Sequence, residues 1–128
     1  MTERNVLGGA LEPCSTDLTT GFERDGRCSC HDEDLGRHEL CAVMTEDFLE
    51  YSAEYGNDLT TPRPELQFPG LVPGDRWCVC LPRWVEALDG VRRRHIPETT
   101  VPPVILEATN EAVLDTVDLE LLQRHAYE

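Results

Sequence analysis

The sequence predicts an α+β fold: a single small domain with a three- to four-stranded sheet, two or three helices and a long proline-rich loop. Three observations predict it. Short apolar runs alternate along the chain with stripes at helical spacing, the pattern of strands interleaved with helices. A length of 128 residues, 40% of them hydrophobic, favours one domain around one core. Between Asn57 and Asp75, Pro62, Pro64, Pro69 and Pro73 interrupt any regular element, because proline has no N–H for a ladder.

The elements follow in order. Residues 5–20 are turn-rich, with Gly8-Gly9, Pro13, Ser15 and Thr16, and residues 21–26 (Gly-Phe-Glu-Arg-Asp-Gly) read as a bend. Residues 35–40 are polar and read as loop. Cys41-Ala42-Val43-Met44 is a short apolar run bounded by polar residues, hence a buried strand. Thr45 is an N-cap, and Glu46-Asp47 oppose the helix dipole in a first turn. Phe48, Leu49, Ser52 and Tyr55 continue at helical spacing, and Gly56 terminates. The proline-punctuated stretch then wraps a surface as an ordered loop, with turns at Pro69-Gly70 and Pro73-Gly74.

Residues 76–81, Arg-Trp-Cys-Val-Cys-Leu, read as a second strand. Pro82 suits a first helical position, Trp84, Val85 and Leu88 form an apolar stripe, and Gly90 is expected to end the helix. Arg92-Arg93-Arg94-His95 is expected as a solvated loop. Val104-Ile105-Leu106 is expected as a third strand and residues 111–114 as one helical turn. Asp118 caps a last helix carrying Leu119, Leu122 and His125 on one face.

Charge bounds the partners. The formal net charge is −14, from 25 acidic and 11 basic residues, and every one of the 11 is arginine. An acid-rich, lysine-free chain is expected of a halophilic protein. Molar salt screens self-repulsion within about 3 Å, so hydrated carboxylates do not drive the fold apart. An acidic protein from a GC-rich genome with arginine codons is the alternative. Either way the field argues against nucleic acid or an anionic membrane as partner. A small-molecule or protein partner stays open. The N-terminus lacks a basic start and an apolar core, and no run approaches about 20 apolar residues, so a cytoplasmic location is expected.

The thiols carry what chemistry there is. Six cysteines lie between Cys14 and Cys80, four of them in the pairs Cys28-Ser29-Cys30 and Cys78-Val79-Cys80. On a strand, Cys78 and Cys80 share a face with Cα atoms about 6.6–6.8 Å apart. A disulfide prefers about 5.5–6 Å, so a bridge between them is disfavoured, whereas two thiolates suit a metal about 2.3 Å from each sulfur. Three readings follow: buried inert thiols, of which Cys41 and Cys78 are the best examples; a zinc site drawn from Cys28, Cys30, Cys41, Cys78 and Cys80, with His31 and His38 as further ligands; or a disulfide or redox pair. The spacing of one intervening residue is unusual for zinc, and no Cys-x-x-Cys motif supports redox catalysis. A nucleophile–base pair of Cys41 and His38 is a further candidate, with nothing nearby to orient the histidine. Residues 31–34 (His-Asp-Glu-Asp) offer oxygen ligands to a hard cation, although a solvated acidic turn explains them as well.

Several segments are specific enough to suggest a family. They are residues 5–9, 21–26, 41–45, 56–59, 61–65, 68–71, 73–78 and 102–109, which read Asn-Val-Leu-Gly-Gly through Pro-Pro-Val-Ile-Leu-Glu-Ala-Thr. Together they resemble the uncharacterised bacterial family catalogued as domain of unknown function 2237. The resemblance implies a cysteine-rich domain and brings no established activity, substrate or cofactor. The family pattern places cysteines at the positions of Cys14, Cys28, Cys41, Cys78 and Cys80, and a different residue at Cys30. It therefore points to Cys28, Cys41, Cys78 and Cys80 as the metal set, with zinc as the expected cofactor in a binding or accessory protein. The competing reading is a cysteine-dependent enzyme or thiol redox protein, with Cys80 or Cys41 as nucleophile.

Overall fold

A two-stranded antiparallel ribbon organises the chain in the computed structural model, which describes residues 3–15, 20–21, 24–66, 68–94 and 96–127. Strand β1 (Leu40–Val43) pairs with β2 (Arg76–Val79) in the register Leu40↔Val79, Cys41↔Cys78, Ala42↔Trp77 and Val43↔Arg76. Side chains alternate between faces along a strand. Leu40, Ala42, Trp77 and Val79 therefore face the main core, with Phe48, Trp84 and Leu122. Cys41, Val43 and Cys78 face a second, smaller cluster with Cys14, Cys28, Ile105 and Ala108. The apolar run that predicted a buried strand is buried because both of its faces are covered.

The expected sheet of three to four strands contracts to these two. Val104 makes only isolated bridges, to Ala42 and to Ala126. The Val43 N–H donates to the Pro103 carbonyl and the Ile105 N–H to the Cys41 carbonyl, both within 2.9 Å. Pro102 and Pro103 lack the donors needed to lengthen the pairing on one side. On the other side the chain winds into a 3-10 turn at Leu106–Ala108.

Helix α1 (Glu46–Glu54) starts as its sequence dictates. The Thr45 hydroxyl accepts from the Phe48 N–H at 3.0 Å, and Phe48, Leu49 and Ser52 are buried. Helix α2 (Leu81–Arg94) corrects two expectations. It runs through Gly90, and Arg92–Arg94 form its exposed last turn, where cations favour the dipole. Gly90 is there for contact: a Cβ would come within 3.0 Å of Ile96 Cδ1 and 3.3 Å of the Tyr51 hydroxyl. Helix α3 (Leu119–Arg124) buries Leu122. A 3-10 turn at Glu111–Asp115 stands where one helical turn was expected, its first turn capped by the Asn110 side chain.

The proline-punctuated segment is more folded than a loop. It carries a 3-10 turn at Pro64–Leu66, the Arg63–Phe68 pairing across it, and a Leu71 N–H bond to the Leu59 carbonyl at 2.8 Å. In the N-terminal turns, the buried Asn5 side chain accepts from Leu7 and Gly9 and donates to Ala10 and Glu107. Thr16, the Phe22-Glu23 part of the expected bend and His95 lie outside the described residues. Among the described residues no helix is long and apolar enough to cross a membrane.

Candidate active site

Four of the six cysteines are paired. Cys14 bonds Cys41 and Cys28 bonds Cys78, and all four are buried. The register explains the arrangement. Cys41 and Cys78 lie opposite each other on one face of the ribbon, so two segments that precede the sheet are fastened to it side by side. Cys30 and Cys80 are the free thiols, one exposed and one half-buried.

Cys80 does not share the ribbon with Cys78. Strand β2 ends at Val79, and Cys80 caps α2, its carbonyl accepting from the N–H groups of Arg83 at 3.0 Å and Trp84 at 3.1 Å. The sulfur is thereby swung away from the disulfides to the positive end of a 14-residue helix. There it meets the segment 31–39. The Asp34 N–H bonds the His31 carbonyl and the Arg37 N–H bonds the Asp34 carbonyl. Arg37 takes a left-handed conformation, with φ 51°. Its carbonyl accepts the Leu81 N–H at 2.9 Å, tying this turn to the start of α2. Its guanidinium holds the buried Glu39 carboxylate at 2.8 Å and Asp115 at 3.0 Å.

The result is a line of three side chains in contact. The Cys80 Sγ lies 3.1 Å from His38 Nε2. His38 Nδ1 lies 2.8 Å from Asp34 Oδ1, and the other oxygen of the buried Asp34 accepts the His38 backbone N–H at 2.7 Å. A carboxylate bound to Nδ1 leaves Nε2 directed at the sulfur. Contact with Cys80 is the largest cause, and the Asp34 carboxylate a further one, holding the His38 imidazolium up to about 9, against the opposing effect of burial. Gly36 makes room for the pair. A Cβ there would lie 2.9 Å from His38 Cε1 and 3.3 Å from the Cys80 sulfur.

The pair opens into a cavity of about 180 Å³ whose walls include Trp77, Phe68, Arg24, Arg63 and Arg83. Phe68 meets Trp77 edge-on at 5.4 Å, and the Arg24 guanidinium lies over the Trp77 ring at 5.9 Å. A larger groove of about 560 Å³ runs along α2 beside Tyr51 and Tyr55, without a cysteine. Cys30 sits in a different setting. Burial, then the Glu39 and Glu3 carboxylates, push its thiol up.

The family model described as an uncharacterized protein conserved in bacteria, DUF2237, matches residues 4–126. The chain belongs to that family. No curated protein matches it.

Within this DUF2237 chain the sequence expectations separate. The proposed zinc ligands Cys28, Cys41, Cys78 and Cys80 are divided among two disulfides and the His38 contact. The sulfurs that do gather within 4.8 Å of one another are Cys14, Cys28 and Cys78. The Cys41–His38 pairing is corrected, because Cys41 is fully buried in a disulfide while His38 turns to Cys80. A cation site at residues 31–34 loses Asp34 as a ligand, since both Asp34 oxygens serve His38. The signal in the DUF2237 sequence for Asp34 as the group that orients the histidine is its four-residue spacing to His38, inside an acidic run.

Proposed function

We propose that the protein is a cysteine-dependent enzyme, with Cys80 as nucleophile, His38 as acid–base group and Asp34 as the residue that positions the imidazole. The observation that supports the reading is the 3.1 Å contact from Sγ to Nε2, continued through the ring to Asp34 at 2.8 Å, at the mouth of a cavity. Nucleophile, base and orienter within hydrogen-bond reach are the geometric signature of covalent catalysis. A thiolate beside an imidazolium and a helix N-terminus is the common setting for reactive cysteines.

The chemistry is group transfer to water. The Cys80 thiolate attacks an electrophilic carbon and forms an S–C bond. The bond to the leaving group breaks, its electron pair leaves with that group, and His38 gives it the Nε2 proton. Water then attacks the same carbon and passes a proton to His38, and the S–C bond breaks to restore the thiolate.

Timed alkylation with iodoacetamide at pH 7, followed by peptide mass mapping, tests the reading. Cys80 is expected to react at least about tenfold faster than Cys30. His38→Gln should reduce it to the Cys30 rate, and Asp34→Asn should fall between. An activated ester should give a stoichiometric burst of leaving group that Cys80→Ser abolishes. Equal rates at the two thiols, or a burst that survives Cys80→Ser, would sink the assignment.

A second reading rests on the gathering of Cys14, Cys28 and Cys78 within 4.8 Å. With both disulfides reduced, three thiolates would face one point, a donor set suited to Zn²⁺. Near-stoichiometric zinc in protein purified under reductant, lost on oxidation, would support this reading. Metal-free reduced protein would remove it.

A further inference from the structure

The walls of the Cys80 cavity carry charge of the opposite sign to the chain's net charge. The chain is acidic by 14 charges, yet three of its 11 basic residues, Arg24, Arg63 and Arg83, line this one recess of about 180 Å³. Local structure puts them there. The Arg63 N–H bonds the Phe68 carbonyl at 2.7 Å and the Phe68 N–H returns to the Arg63 carbonyl at 3.0 Å. That tight pairing brings a guanidinium and an aromatic ring to the same rim. Arg24 reaches the site in a left-handed conformation, φ 60°, and lies over Trp77. Arg83 is partly engaged, donating to the Tyr55 carbonyl at 2.9 Å and standing 3.6 Å from Glu86. Among the described residues Asp58 is the acidic member of the lining, and its oxygens accept from Thr60 and Thr61.

The backbone at Cys80 sharpens the role of these cations. In many cysteine and serine enzymes the N–H after the nucleophile stabilises the developing negative charge. Here the Leu81 N–H is bonded to the Arg37 carbonyl, Pro82 has none, and those of Arg83 and Trp84 return to the Cys80 carbonyl. The cations left to meet negative charge on a molecule in the cavity would be the guanidinium groups of its lining, which bind carboxylate and phosphate oxygens in a planar fork. Phe68 and Trp77 supply the flat apolar wall.

We infer that the cavity takes a small organic anion, a carboxylate or phosphate ester bearing a flat apolar group, with Arg24 and Arg63 holding the anion while Cys80 faces the reacting carbon. This rests on the reading of Cys80 as a nucleophile and adds the class of substrate.

Paired alkylating probes test it in the intact protein. Iodoacetate is an anion and iodoacetamide its neutral counterpart. Cys30, beside Glu39 and Glu3, serves as the internal reference. The iodoacetate-to-iodoacetamide rate ratio at Cys80 is expected to exceed that at Cys30 by about tenfold or more at low salt. Arg63→Gln and Arg24→Gln, made separately, should lower the iodoacetate-to-iodoacetamide rate ratio at Cys80 severalfold, toward the ratio at Cys30. In the wild-type protein, benzoate or phenyl phosphate should protect Cys80 from iodoacetamide, and benzamide should not. A fast Cys80 with the same ratio as Cys30, or equal protection by benzoate and benzamide, overturns the substrate class and leaves the nucleophile standing. A Cys80 slow toward both reagents overturns the nucleophile, and the substrate class with it.

Discussion

His38 links the chemistry to pH. Its imidazole, ordinarily near 6.5, is held up to about 9 by Cys80 and Asp34. A raised folded-state value means that protonation favours the fold. The stabilisation is fully present below about 6.5 and disappears as pH rises through about 9. The melting temperature of wild type should therefore exceed that of His38→Gln by the largest margin near pH 6, and the margin should close by pH 10. A constant margin would show that the ring acts by packing alone. Gly36 gives a second test. Gly36→Ala places a methyl 2.9 Å from the imidazole, so the ring must shift and Cys80 alkylation should slow severalfold while the far-ultraviolet spectrum is retained. Neither role was legible from the residues taken singly. A glycine in a polar segment and an aspartate in an acidic run carry no sign of what stands above them.

At the scale of elements, the chain was most readable where the physics is local. Thr45, Glu46 and Asp47 specify the start of α1, because the cap bond spans three residues. Gly90 misled because its reason is non-local: it lets α2 approach Tyr51 and Ile96. The third strand failed for a related cause. Val104 has the composition of a strand, but its neighbours Pro102 and Pro103 remove the donors a ladder needs. The disulfides act at this scale too, closing sequence separations of 27 and 50 residues. Restricting the unfolded chain to loops of that size stabilises by about 3.5 and about 4 kcal/mol in the chain-entropy account. Paired serine substitutions at Cys14 and Cys41, or at Cys28 and Cys78, should lower the urea-unfolding free energy by amounts of this order, the second pair by slightly more. A loss below about 1 kcal/mol would mean that the ribbon and its two cores hold these segments without the bonds.

For the whole molecule, a charge of −14 leads to a salt dependence. Between 0.1 M and 1 M salt the screening distance falls from about 10 Å to about 3 Å, so the melting temperature should rise as KCl is added. A flat response would favour arginine codon usage over salt adaptation as the origin of the composition. Intact mass with and without thiol blocking should count two disulfides and two free thiols. Disulfides persist in oxidising surroundings and are uncommon in the cytosol of mesophiles. The same measurement on freshly lysed native cells therefore bears on the expected cytoplasmic location, and six blockable thiols there would mean that the bonds form only after isolation.

The sequence by itself determined the acidic, lysine-free composition, the cap of α1, the presence of β1 to within one residue, and the identity of the family. These depend on composition, on neighbours within a few positions, or on motifs that survive as linear text. The tertiary structure alone decided which sulfurs bond, which stay free, and that His38 serves Cys80. Those outcomes follow from the β1–β2 register and from the point at which β2 gives way to α2, and both are set by contacts between residues tens of positions apart.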